Sequence, residues 1–142
     1  MKKMFLILVT LTSGTLLSYG QCDKKVVITA SKTQYLGADS AVQRTEEEQT
    51  SVEFDKTTIT IIPGSEDHKM TGTVKSYVCN WPTAFKDGKT SIKVAVTNDN
   101  GQTMNLTITI GGKDGKINFL AEVDEEPEKK IRLIVDRFEE KK

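Results

Sequence analysis

From Val26 to Val135 the apolar residues of this chain fall on alternate positions, the period of β-strands with one buried face. "KVVITASKT" sets Val26, Ile28 and Ala30 on one side, and "TSVEFDK" does the same with Val52 and Phe54. "TTITIIPG" offers Ile59 and Ile61, and "TSIKVAVTN" offers Ile92, Val94 and Val96. "QTMNLTITI" turns Met104, Leu106, Ile108 and Ile110 inward, "KINFLAEV" turns Ile117, Phe119, Ala121 and Val123, and "KKIRLIVDRF" turns Ile131, Leu133 and Val135. In "KMTGTVKSYVCN" the alternation assigns Met70, Gly72, Val74, Ser76 and Val78 to one face and Tyr77 and Cys79 to the other. No window carries the i, i+3, i+4, i+7 stripe of an amphipathic helix as well.

Turn chemistry separates the runs. "PGSED" at 63–67, "KDGK" at Lys86–Lys89, "NDNG" at 98–101 and "GGKDGK" at 111–116 supply the Gly, Asn and Asp that tight connections require. The charged "DEEPEKK" at 124–130 reads as a solvated loop, because Pro127 cannot donate to a ladder. "GADSAVQRTEEEQ" at 37–49 is too polar for a core strand and reads as a long excursion between the first two strands. Eight strands joined in sequence predict an all-β antiparallel meander, curled into a small or half-open barrel or folded over as a β-sandwich.

The N-terminus departs from this pattern. "MKKMFLILVTLTSGTLLSYG" has two lysines, a short apolar stretch and small residues at Ser18 and Gly20, the layout of a secretory signal peptide over residues 1–20. Its apolar run is shorter than the roughly 20 residues a membrane-spanning helix needs. Residues 21–142 then form one β domain, exported to the periplasm or secreted, with no membrane span. A lipoprotein anchored through Cys22 is the alternative, though Gln21 fits poorly directly before a lipidated cysteine.

Cysteine and charge narrow the chemistry. In an oxidising compartment Cys22 and Cys79 are most simply a disulfide pair that pins the N-terminal segment to a strand. The chain balances 20 basic against 20 acidic residues, which leaves no electrostatic footprint for nucleic acid. His68 is the single histidine and sits in a polar turn, and no G-x-S-x-G, phosphate loop, dinucleotide fingerprint or calcium loop occurs. We expect no enzymatic activity, no cofactor and no metal site.

Two binding roles stand open. In the first, the barrel holds a small apolar ligand among Met70, Val74, Met104, Phe119 and Leu133, with Gly72 and Ala121 small enough to leave room. In the second, an envelope protein is the partner of an inhibitor or assembly factor that presents "SYVCNWPTAF", where Tyr77, Trp81 and Phe85 cluster. Trp81 has a competing structural role as a plug for one barrel end. Either way the expected state is a monomer.

The whole chain resembles the small secreted β-proteins of Bacteroidota-type bacteria, and is similar to lipocalin-like domains in strand count and length. The first resemblance implies an O-glycosylation signal of the form Asp-[Ser/Thr]-apolar, which "DSA" at Asp39–Ala41 matches through Ser40.

Overall fold

Alternation along the chain becomes alternation across a wall in the computed structural model, which describes residues 20–141. Eight strands follow one another: β1 (Val26–Leu36), β2 (Val42–Phe54), β3 (Thr58–Pro63), β4 (Met70–Thr83), β5 (Asp87–Thr97), β6 (Thr103–Lys113), β7 (Lys116–Val123) and β8 (Lys130–Glu140). Each pairs antiparallel with its neighbour, and β8 returns to β1, so the meander closes into a barrel. Closure satisfies the ladder groups that a two-layer sandwich leaves at its edges. The signal peptide expected at residues 1–20 lies outside the described residues except for Gly20.

Inward residues meet at the centre. Val26, Ile28, Val52, Phe54, Ile59, Ile92, Val94, Val96, Ile108 and Ile110 are essentially inaccessible to solvent. An eight-stranded barrel is just wide enough for such side chains to fill it.

The seams of the barrel are unequal. β1 pairs along most of its length with both β2 and β8, and β5 does so with both β4 and β6. By contrast, β3 meets β4 only over Thr58–Ile61 and Met70–Thr73, and β7 meets β8 only over Asn118–Glu122 and Lys130–Ile134. The barrel therefore consists of two four-stranded leaves, β8-β1-β2-β3 and β4-β5-β6-β7, joined along two short seams. Both seams use only the parts of β4 and β8 nearest the end that carries the β1–β2, β3–β4, β5–β6 and β7–β8 connections, the upper rim. The lower end carries both chain termini of the domain.

Two sequence expectations are corrected. The 37–49 excursion is mostly strand: only residues 37–41 turn, and Val42 onward already belongs to β2, where Arg44–Glu47 pair with Lys32–Tyr35. Backbone pairing holds this arm although its side chains are exposed. In β4, Lys75 is an extra residue between the Val74–Val94 and Ser76–Lys93 pairs, a bulge that reverses the faces beyond it. Tyr77, Cys79 and Trp81 thus point inward, and Val78, assigned to the interior by alternation, is 64% exposed.

Candidate functional site

The lower end is closed by side chains. A 3-10 turn at Gln21–Asp23 brings Cys22 to the inward side of β4, where it forms a disulfide with Cys79. Buried Gln21 accepts a hydrogen bond from the Phe85 backbone N–H through Oε1, and the Tyr77 hydroxyl donates to the Cys22 carbonyl at 3.3 Å. Burial, with Asp23 and Asp55 nearby, raises the Tyr77 pKa.

Trp81 crosses the barrel floor. Its indole stands edge-on to Phe138 at 5.4 Å, and Phe85 meets Phe138 at 4.9 Å. Gly88 and Gly112 face each other across β5 and β6, and a Cβ on Gly112 would come within 2.5 Å of the indole. These glycines make the space that Trp81 fills. Of the three residues expected to form a recognition loop, Tyr77 and Trp81 are built into this plug. Phe85 alone also reaches a surface groove of about 440 Å³, where β7 and β8 part between Ile117 and Val135.

The upper end holds a different feature. An apolar cavity of about 80 Å³ opens between Ile61, Pro63, Met70, Leu106, Phe119, Ala121, Ile131 and Leu133. Its polar margin is made by Thr33 and Thr50, whose hydroxyls lie 3.4 Å apart, and by Tyr35 and Glu48. The Tyr35 hydroxyl donates to Glu48 Oε1 at 3.1 Å, and the Arg44 guanidinium stacks 4.0 Å over the Tyr35 ring. Arg44 also pairs with Glu46 at 3.0 Å. Burial, then the hydrogen bond to Glu48 and the charges of Glu48 and Glu46, raise the Tyr35 pKa, so the phenol stays a donor.

Three of the five residues expected to line a ligand site, Met70, Phe119 and Leu133, do surround this cavity. Val74 and Met104 pack against the core elsewhere. Ala121 contributes room at the cavity, whereas Gly72 does not: a Cβ there would overlap the Ala95 carbonyl, so the glycine serves a close approach of β4 to β5. Tyr35, Glu48, Ile61, Pro63 and Ile131 escaped the sequence reading of the site. Glu48 was hidden within an acidic run, although a tyrosine just before the Gly37 turn is a signal that a rim position deserves.

Other candidates stay apart. Ser40 sits exposed at the tip of the β1–β2 turn with a φ of 65°, and Lys130 Nζ approaches its hydroxyl at 3.4 Å. His68 is exposed beside β4, 4.0 Å from Asp99. Among the described residues no group of three His, Cys, Asp or Glu side chains converges as a metal site, and no helix is long and apolar enough to cross a membrane.

The chain matches no protein-family model, no curated protein and no solved structure.

Proposed function

We propose that this protein is an exported, non-catalytic binding module whose ligand site is the upper mouth of the barrel. The supporting observation is the cavity at Met70, Ala121 and Ile131, an apolar recess with Tyr35 and Glu48 at its margin. Apolar walls with a few converging polar groups are the usual make-up of a small-molecule site. Its size limits the ligand. An engineered apolar cavity of about 150 Å³ accepts benzene, so a recess of about 80 Å³ takes a short branched alkyl group or the tip of a chain. The Cys22–Cys79 disulfide is compatible with the export part of this reading.

A titration with isobutanol, followed by NMR shifts of the Met70, Ala121 and Ile131 methyl groups, tests the proposal. Saturable shifts confined to those groups, abolished in Ala121→Leu, are expected. Shifts that stay absent or linear at millimolar probe, in a protein with native signal dispersion, would refute it.

A second reading keeps a protein partner. Beyond Ile134, β8 has no ladder partner on its β7 side, and Phe85, Val135 and Phe138 floor the groove there. An extended segment of an envelope protein adding to this edge fits the interaction-module role. Backbone amide shifts of residues 135–140, with the mouth methyl groups unmoved, on addition of that partner would favour it.

A further inference from the structure

The mouth of the barrel has a charge without a counter-charge. Glu48 is half-buried at the cavity margin, and its Oε1 accepts the Tyr35 hydroxyl. None of the ion pairs among the described residues includes Glu48. Arg44, the cation brought near by the Tyr35 stack, is spent on Glu46 and on the aromatic face. The second carboxylate oxygen, Oε2, lies beside Gly64 and takes part in none of the hydrogen bonds among the described residues. Directly below lies the recess walled by Ile61, Met70 and Ala121.

A carboxylate fixed by a phenol through one oxygen and set at the margin of an apolar recess is complementary to one shape of ligand. That shape is a cationic nitrogen joined to a short alkyl group. The alkyl part displaces water from the recess, and the ammonium donates a charge-assisted hydrogen bond to Glu48, roughly twice as strong as a neutral one. An anionic head on the same alkyl group would meet Glu48 and Glu46 at the rim and be repelled.

We infer that the cavity at the upper mouth binds a primary ammonium bearing a short branched alkyl group, with Glu48 as its counter-charge and Tyr35 as the residue that positions Glu48. This inference rests on the mouth being a binding site, as proposed above, and adds the chemical class of the ligand. Two sources share this chemistry, a free alkylamine and the N-terminus of a peptide whose first side chain is branched and apolar.

The test compares isobutylammonium, isobutanol and 3-methylbutanoate, titrated into the intact protein and into Glu48→Gln and read from the same methyl shifts. The expected result is that isobutylammonium binds about tenfold or more tightly than isobutanol, the factor one charge-assisted hydrogen bond supplies. 3-Methylbutanoate is weakest, and Glu48→Gln removes the preference, bringing isobutylammonium and isobutanol to about the same affinity. Equal binding of all three probes overturns the ammonium assignment and leaves the binding site standing. Binding of none overturns both. Tyr35→Phe should lower the ratio of isobutylammonium to isobutanol affinity although Glu48 keeps its charge, and a ratio equal to that of the wild type would overturn the positioning role of Tyr35. With the preference established, Leu-Gly-Gly distinguishes the sources: tighter binding than isobutylammonium identifies a peptide N-terminus, and weaker binding a small amine.

Discussion

The Trp81 indole N–H donates to the Thr90 hydroxyl at 2.7 Å, and that hydroxyl in turn donates to the Cys79 sulfur at 3.4 Å. Thr90 is 1% exposed, so its hydroxyl oxygen has no water to fall back on. Thr90→Val keeps the shape and strands the indole N–H. A loss of about 1–3 kcal/mol is expected, the cost of a buried unpaired donor. Urea unfolding checks it, and a midpoint within error of wild type would show that the indole finds another acceptor.

The glycine pair under the indole gives a complementary test. Gly112→Ala places a methyl group 2.5 Å from the Trp81 ring and should destabilise by about 1–3 kcal/mol through overpacking. Adding Trp81→Phe to Gly112→Ala, which shrinks the ring, should recover part of that loss. Additive losses in the double variant, measured by thermal unfolding, would mean the two positions do not press on each other.

Cys22 and Cys79 close a loop of 57 positions. In the chain-entropy picture such a closure is worth roughly 4 kcal/mol. Cys22→Ser with Cys79→Ser should therefore lower the melting temperature by on the order of 10–20 °C, as should reduction of the wild type. A shift of only a degree or two would mean that Gln21 and the aromatic plug hold the N-terminal segment without the covalent bond.

Asp55 caps the β2–β3 turn. Burial pushes its pKa up, but the backbone N–H groups of Thr57 and Thr58, both at 2.8 Å, and the two threonine hydroxyls outweigh it and hold the carboxyl below its ordinary value. A pKa depressed by folding contributes stability above the unfolded value, about 4 for aspartate, and loses it as pH falls through the folded value. Asp55→Asn keeps an acceptor but removes the titration. The wild type should exceed this variant in stability at neutral pH and lose the advantage below about pH 4. A difference that is flat with pH in chemical unfolding would contradict this.

The strand order was legible because period-two runs alternate with connections that, apart from Ala84-Phe85-Lys86 between β4 and β5, contain Gly, Asn or Asp. The second "KDGK" copy forms the β6–β7 turn at Asp114–Gly115, whereas the first corrects the sequence expectation: its Asp87–Lys89 already belong to β5, and the β4–β5 turn lies just before, at residues 84–86. The arm at 42–49 was not legible, because alternation reports side-chain burial and this arm is held by backbone pairing to β1 while both of its faces are wet. The reversed face of β4 was hidden by one extra residue, Lys75, for which period-two reading has no allowance. Tyr77, Cys79 and Trp81 do share a period of two, and large residues in that register are the trace the bulge leaves in the sequence. The candidate site was half legible for a related reason: Met70, Phe119 and Leu133 advertise themselves by apolarity, whereas Glu48 becomes informative only when folding sets it at the margin of an apolar recess.

The two short seams imply an order of motion. Toward the mouth the leaves are stitched by backbone hydrogen bonds; toward the floor they are held by Trp81, Phe85, Phe138 and one disulfide. Thermal breathing thus begins at the floor, and amide deuterium uptake should advance from residues 135–140 of β8 toward the rim. The recess walls that these seams join, Ile61 to Met70 and Phe119 to Leu133, move last, and a ligand held between them would meet a surface already set in its bound shape.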